Sequence, residues 1–472
     1  MTKPYLTTAI PYVNGAPHIG HALDSLLADT FFRYQALKGN DVRFQAGTDE
    51  HGNKIFAKAA SLGLDPQAYV DENAQKFRDF IARLGVHPTD FIRTTDPDHE
   101  RRCQKIWLKL KPHIYSASYE GWYCQGCERF VTDKEVEDNA GLCPDHQSPY
   151  ERLSETNYYL RIADFRDEIA RRIESDELHI LPDFRKKEIL HLLEDTPDVS
   201  ISRPKKNLSW GVPVPDDDDQ VMYVWIDALA NYITVLGYPD RDISDYWPAT
   251  LQIVGKDILR FHAIIWPAML LALDLPLPRT LLSHGFINNN GQKMSKSLGN
   301  VVDPLEVLDR HGRDAFRYFF LRHIDTFDDS DFSYEKFDTA YNTELANDLG
   351  NLVQRLATLC AKNNLTYVVK NTTFSPAYDQ AFAEYNLNLA FEHAWAHVQA
   401  LNRRIDEEKP WELAKQGKTA ELTAVLSSLV DDLLHANLEL TPFLPDATER
   451  IRTIFTAEKI TPPSTPLFPK SA

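Results

Sequence analysis

The stretch Thr8-Ala-Ile-Pro-Tyr-Val-Asn-Gly-Ala-Pro-His-Ile-Gly-His21 constrains the fold more than any other part of the chain. Ahead of it, Tyr5 to Ile10 reads as a short β-rich strand. After it, Leu23, Leu26, Leu27, Phe31, Ala36 and Leu37 recur at helical spacing as far as Gly39. Asp41 to Ala46 then alternates like a second strand. The order strand, turn, helix, strand sets His18 and His21 where the first strand hands over to a helix N-terminus. Free backbone N–H groups and the positive end of the helix dipole make that position an anion site. Two imidazoles add donors for phosphate oxygens, and Gly20 between them leaves room for a flat base. A lone His-x-x-His also occurs as a pair of surface histidines. The phosphate reading gains weight from a second basic loop, Lys293-Met-Ser295-Lys296-Ser. Histidines at a helix N-terminus and two lysines on a Ser-containing loop make a clamp for a polyphosphate, whose leaving pyrophosphate is stabilised by fixed donors and magnesium.

Composition narrows the class. At 472 residues, 43% hydrophobic and 25% charged, the chain has room for two to four domains with full cores. No apolar run reaches membrane-spanning length, and Pro267 interrupts Ala263 to Leu273. The start, Met-Thr-Lys-Pro-Tyr, carries no signal peptide. Five cysteines, three of them clustered, point to a reducing cytoplasm. A net charge of −18 confines any RNA contact to local basic patches.

Cys124-Gln-Gly-Cys127 and Cys143-Pro-Asp-His146 have the spacing of one closed, structural zinc knuckle, with Asp145 a weaker candidate for the fourth ligand. Cys103 and Cys360 lie outside the pattern and read as buried small residues. Gly47-Thr-Asp49-Glu-His-Gly52 ends the second strand and puts acids at the carboxyl edge of a parallel sheet, where Asp49 also suits a helix N-cap. Two helical stretches follow the knuckle, Ile162 to Ser175 and Lys186 to Glu194. Pro213 to Gln220, with its run of four aspartates, reads as a solvated loop. A second β-α-β unit runs through Leu251–Val254, Ile258–Leu273 and Leu281–Ile287. From Tyr334 the chain reads as helical, roughly 335–363, 376–406, 418–440 and 446–458. The Pro-rich tail reads as coil packed back on the body.

Together these stretches resemble class I aminoacyl-tRNA synthetases, and within that class the methionyl-tRNA synthetases. The resemblance runs from about Tyr5 to Arg452. It also rests on Tyr223-Val-Trp-Ile-Asp227, Gly255-Lys-Asp257, Phe261-His262 and Pro410-Trp411. It implies an α/β fold: a Rossmann-like parallel-sheet catalytic domain split by a zinc-knuckle insertion, followed by an α-helical anticodon-binding domain. The segments expected are 1–112 and 216–330 for the two catalytic halves, 113–215 for the insertion, 331–460 for the helical domain and 461–472 for the tail. The activity implied is ATP-dependent attachment of methionine to its tRNA through methionyl-adenylate. Other readings are a class I synthetase for a different amino acid, or a catalytically silent tRNA-binding paralogue.

Residue by residue, the resemblance makes His18, His21, Lys293 and Lys296 catalytic, and adds Gly20 and Ser295 to the ATP site. Asp49 matches the carboxylate that receives the substrate ammonium, and Arg203 matches an arginine able to pair with it. Ile10, Tyr12, Trp225, Leu229, Tyr232, Asp257, Phe261, His262 and Trp266 match the substrate-binding residues. Tyr232 and His262 are the hydrogen-bonding groups aimed at the methionine sulfur. Asn351, Arg355 and Trp411 match anticodon readers. The resemblance further implies one structural Zn2+ per chain, held by Cys124, Cys127, Cys143 and His146, and Mg2+ with the ATP. Val199 stands where some members carry a tryptophan. The chain ends soon after the helical domain, without the extra tRNA-binding module of some members, so a monomer is expected.

Overall fold

A computed structural model of the chain describes residues 2–124, 129–144, 147–294 and 302–470. Strand β1 covers Tyr5–Thr8 with all four side chains buried, as befits a strand covered on both faces. In chain order follow β2 (Arg43–Thr48), β3 (Asp90–Arg93), β4 (Ile114–Cys124), β5 (Arg129–Val131), β6 (Glu151–Leu160) and β7 (His179–Leu181). Then come β8 (Val199–Ser200), β9 (Ser202–Pro204), β10 (Pro213–Val214), β11 (Asp217–Met222), β12 (Leu251–Gly255) and β13 (Thr280–His284). One sheet has the order β3-β2-β1-β12-β13-β7. Its β1–β2, β2–β3, β1–β12 and β13–β7 pairings are parallel, with Leu6 opposite both Phe44 and Leu251. Strand order reverses at β1, with β2 and β3 on one side and β12 on the other. In an open α/β sheet, ligands bind beyond the carboxyl ends of the strands at such a switch point. The Rossmann-like core expected from the sequence is present.

The chain divides into two compact units. One comprises Met1–Pro17, Asn40–Asp79 and Pro88–Ser283; the other comprises His18–Gly39, Phe80–His87 and His284–Ala472. In the first unit the segment after β3 is richer in strand than its sequence suggests. Strands β4 and β6 pair antiparallel over ten residues, Ile114↔Leu160 to Tyr123↔Glu151, inside a β5-β4-β6-β8 sheet. Strand β7, three residues long, leaves that segment and joins the main sheet beside β13, Ile180 opposite Leu281. The aspartate run is not a loop. It forms the tight β10–β11 hairpin, turning at Asp216 with φ 65°, and Asp217 to Asp219 are strand residues. The main core gathers Tyr5, Trp107, Ile180, Met222, Tyr232, Trp247 and Trp266.

The second unit begins with the helix Gly20–Leu37. Strand β14 (Ile287–Asn289) pairs antiparallel with β15 (Gln292–Lys293) and parallel with β16 (Ser330–Phe332). Helices follow at Arg313–Arg322, Asn351–Lys362, Pro376–Ala383, Leu387–Glu408, Pro410–Lys415, Thr419–Leu440 and Pro445–Phe455. The stretch 376–406 is thus two helices, broken where Tyr385 takes φ 57° and Asn386 caps the next through Leu389 N–H. Arg317 is fully buried. It meets Asp29 at 2.7 Å and donates to the Phe443 and Pro442 carbonyls at 2.7 and 2.8 Å, the satisfaction a desolvated guanidinium requires. The tail packs back as expected: Leu467 and Phe468 are buried, and Tyr341 Oη donates to the Pro469 carbonyl at 2.6 Å. Among the described residues no helix is long and apolar enough to cross a membrane.

Candidate active site

Strands β1 and β2 end side by side. Tyr12 and Asp49 form a parallel bridge in which Asp49 N–H donates to the Pro11 carbonyl at 2.9 Å and Val13 N–H to the Asp49 carbonyl at 3.1 Å. Glycine is required just before this point, because a Cβ on Gly47 would stand 2.3 Å from the Ile92 carbonyl oxygen of β3. The Asp49 side chain is therefore fixed at the carboxyl edge of the sheet. Its Oδ1 is buried and makes no hydrogen bond. Burial pushes the Asp49 carboxyl well above the usual range, and the nearby Asp227 charge adds to the effect. An orphaned, desolvated carboxylate oxygen of this kind is a receptor for a cation. Arg203 does not fill that role through Oδ1: its Nη1 donates to Ser200 Oγ at 2.8 Å and the Ser202 carbonyl at 2.7 Å, and its guanidinium lies 4.2 Å from the Tyr223 ring centre.

Behind Asp49 stands a charge network that sequence reasoning missed. His51 Nδ1 meets Asp227 Oδ2 at 2.5 Å and His51 Nε2 faces Glu100 at 3.5 Å. Burial alone would lower the His51 pKa, but Asp227 and Glu100 outweigh it and raise it to about 10, keeping the imidazolium charged. Glu50 is a buttress: Arg93 grips it bidentately at 2.7 and 2.8 Å, Thr48 donates to it at 2.6 Å, and Trp210 Nε1 donates to its carbonyl at 2.6 Å. Gly47 to Gly52 and Tyr223 to Asp227 both stood out as motifs. Nothing in either one says that His51 reaches across 176 residues to Asp227.

An aromatic cluster lies in the same unit. Trp225, in the first turn of the helix Val224–Thr234, stacks on Phe261 with centroids 3.8 Å apart and planes within 6°. Phe261 opens a π-helical turn, Phe261–Ile265, that also carries His262. His262 Nδ1 sits 3.0 Å from the Ile258 carbonyl, so the proton belongs on Nδ1 and Nε2 accepts from Tyr232 Oη at 2.7 Å. The two hydrogen-bonding groups expected to face a substrate sulfur are thus bonded to each other. Leu229 and Trp266 are fully buried, Trp266 Nε1 donating to Gln252 Oε1 at 3.1 Å. Ile10 and Tyr12 are half-buried and Asp257 is exposed. Trp225 and Phe261 border a cavity of about 720 Å³, shared with Tyr115, Tyr159, Val199 and Tyr223.

In the second unit His18 and His21 stack, centroids 3.7 Å apart, at the start of the helix Gly20–Leu37. Gly20 N–H donates to His18 Nδ1 at 3.2 Å and His18 N–H donates to His21 Nδ1 at 3.1 Å. With both Nδ1 atoms accepting, each neutral ring carries its proton on Nε2, the donor a phosphate oxygen needs. A Cβ on Gly20 would press within 3.1 Å of the His18 ring. Lys293 lies on β15 opposite Asn288. Ser295 and Lys296 lie outside the described residues. Among the expected anticodon readers, the structure brings Arg355 and Trp411 together: the guanidinium is 5.0 Å from the indole centre and is held by Asp406 at 2.5 Å. Asn351 is exposed at the start of the helix that carries Arg355.

Of the four expected knuckle ligands, Cys124 and Cys143 lie among the described residues. Cys124 closes the β4–β5 hairpin opposite Arg129, and Cys143 opens a second reversal with its N–H on the Ser148 carbonyl at 2.8 Å. Both cysteines are buried in one small cluster with Val131 and Tyr150, which fits a shared metal. Cys127 and His146 lie outside the described residues. Cys103 and Cys360 are buried as expected, and burial pushes the Cys360 thiol up to about 12.

One unit carries a switch-point sheet with an orphaned carboxylate at its edge, and the other carries paired histidines at a helix N-terminus; each feature taken by itself suits a nucleotide-activating enzyme. The family model described as "tRNA synthetases class I (M)" matches residues 4–153 and 145–357, and the chain belongs to that family. Over 470 residues it is 39% identical to the methionine–tRNA ligase of Thermotoga maritima, covering 95% of this chain and 74% of that protein. It is 40% identical to the methionine–tRNA ligase of Brucella melitensis, covering 96% and 92%. A solved structure of Mycobacterium tuberculosis methionyl-tRNA synthetase in complex with methionyl-adenylate matches with a TM-score of 0.91 at 34% identity, covering 99% of this chain and 100% of that one.

Proposed function

We propose that this chain is a methionine–tRNA ligase. The methionine carboxylate attacks the α-phosphorus of ATP, the bond to the β-phosphate breaks, and pyrophosphate leaves. The 2′-hydroxyl of the terminal tRNA ribose then attacks the adenylate carbonyl and expels AMP. The observation that carries the reading is the buried Asp49 Oδ1 without a hydrogen bond. A substrate ammonium satisfies it and returns the carboxyl to its charged form. Aromatic walls with few polar groups suit an unbranched thioether, whose sulfur sits favourably against ring edges. Similarity to the methionine–tRNA ligases of Thermotoga maritima and Brucella melitensis points to the amino acid and the tRNA.

His18 and His21 donate from Nε2 to the phosphates, with Lys293, Ser295 and Lys296 completing that grip. Gly20 keeps the His18 ring in place. Mg2+ bound with ATP would supply positive charge to offset that of the leaving pyrophosphate. Ile10, Tyr12, Trp225, Leu229, Tyr232, Asp257, Phe261, His262 and Trp266 shape the methionine site, the buried members acting as its rigid backing. Asn351, Arg355 and Trp411 read the anticodon by stacking and hydrogen bonding. Cys124, Cys127, Cys143 and His146 would hold one zinc, a closed structural site with no part in the reaction. The enzyme works as a cytoplasmic monomer.

The test is charging: labelled methionine should become acid-precipitable on methionine tRNA only when ATP is supplied. A purified chain that forms no methionyl-tRNA under those conditions, while remaining folded, rules the reading out.

A further inference from the structure

Away from every residue used so far, three side chains in the helical region meet in a way that no role in tRNA charging requires. Glu439 is fully buried near the end of the helix Thr419–Leu440. His435, one turn earlier, lies on the same face of that helix. His397 comes from the helix Leu387–Glu408 packed against it. His435 Nε2 is 3.2 Å from Glu439 Oε1, and His397 Nε2 is 3.3 Å from Glu439 Oε2. One ligating atom of each residue lies within 4.8 Å of the other two. We propose that His397, His435 and Glu439 form a second metal site, selective for zinc-like divalent transition ions, that ties the helices Leu387–Glu408 and Thr419–Leu440 together.

Three features favour a metal over a plain hydrogen-bonded trio. The first is ligand chemistry: two imidazoles and a carboxylate are the His2Glu set that suits zinc, and they are poor ligands for calcium or magnesium. The second is spacing. Tetrahedral ligands about 2.0–2.2 Å from zinc stand roughly 3.3–3.6 Å from one another, and Glu439 comes close to that spacing with each histidine through a different oxygen, Oε1 to His435 at 3.2 Å and Oε2 to His397 at 3.3 Å. The third is the carboxylate itself. Oε2 is buried with the His397 ring nitrogen 3.3 Å away, whereas Oε1 accepts from Ser375 N–H at 2.8 Å and faces His435 Nε2 at 3.2 Å. The Ser375 contact orients the ligand from outside, a usual feature of metal-binding carboxylates. The rim is open: the His397 and His435 side chains keep 41% and 32% of their exposure, enough for an ion to enter and for water to take the fourth position.

Full-length protein isolated with its knuckle zinc, incubated with zinc and desalted, should hold one more equivalent of metal than His397→Asn or His435→Asn protein treated alike. Zinc should raise the melting temperature of the parent and leave both variants unmoved, with methionine-dependent ATP–pyrophosphate exchange the same in all three. Cobalt added to parent isolated with its knuckle zinc alone, before any zinc incubation, should give tetrahedral d–d bands without a thiolate-to-metal charge-transfer band, since no sulfur lies in the set. This spectrum decides the matter even if a variant folds poorly. Equal metal content in parent and variants, or cobalt absorption of thiolate type alone, would overturn the proposal and leave two imidazoles paired to a buried carboxylate.

Discussion

Asp49, Gly20 and Asp314 are the residues at which a single atom decides the outcome. Asp49→Asn removes the charge offered to the substrate ammonium and keeps the shape of the side chain. A hydrogen bond to a charged group is worth about 1.5–3 kcal/mol, so kcat/KM for methionine in ATP–pyrophosphate exchange should fall roughly 10- to 150-fold. Thermal stability should hold or rise, because a carboxylate whose ionisation burial opposes has been removed. Gly20→Ala works through contact. The new methyl meets the His18 ring at about 3.1 Å and displaces it, while helix propensity gains up to about 1 kcal/mol. Exchange should drop with the melting temperature unchanged or higher; equal exchange would remove the His18 ring from the ATP site. Burial pushes the Asp314 carboxyl up to about 6, and its Oδ2 accepts Ala447 N–H at 2.6 Å. The folded chain therefore keeps a proton that the unfolded chain, with a pKa near 4, has lost. That stabilisation is complete below about pH 4 and is lost as pH rises to about 6, an effect on the order of 3 kcal/mol. Asp314→Asn retains the acceptor oxygen and abolishes the titration. Urea unfolding should show the variant gaining on the parent from pH 4 to 6, with a constant difference above.

At the scale of elements, the Arg355–Trp411 contact joins the helix Asn351–Lys362 to Pro410–Lys415. Loss of one stacked base costs about 1–3 kcal/mol, so Trp411→Ala should lower tRNA charging roughly ten- to a hundredfold and leave adenylate formation intact. Lys296→Ala should cripple the exchange that Trp411→Ala spares, because it removes charge where the leaving phosphate develops it. If Trp411→Ala charges tRNA at the parental rate, the indole is not a reader. The strand–helix–strand opening was legible because apolar periodicity switches from 2 to 3.6 across two turns. The helices from Tyr334 onward were legible for the same reason, apart from the break at Tyr385 and the short helix Pro410–Lys415, which the periodicity does not single out. The β4–β6 pair was not: Tyr115, Ser118, Glu120 and Thr156 mix polar and aromatic residues without clean alternation, so neither period stands out. Strand β7 is three residues long and is held by partners in β13, a hundred positions away. Local pattern carries no trace of such a pairing.

For the molecule as a whole, the motifs fixed which chemistry to expect, and folding decided which groups remain available for it. Tyr232 and His262 stood out in the sequence, but only the fold bonds them to each other. His51 and Asp227 sit inside conspicuous motifs, yet their pairing depends on how the end of β2 and the helix Val224–Thr234 come together. An ordinary composition and a charge of −18 say little by themselves about a tRNA enzyme. The central claim, that this chain selects methionine and activates it with ATP, is tested most directly by ATP–pyrophosphate exchange run with each of the twenty amino acids. One methylene or one sulfur is worth about 1–3 kcal/mol in an apolar pocket, so methionine should exceed its nearest competitor by roughly 10- to 200-fold. Faster exchange with isoleucine, leucine or cysteine, or no amino-acid-dependent exchange at all, would contradict the account.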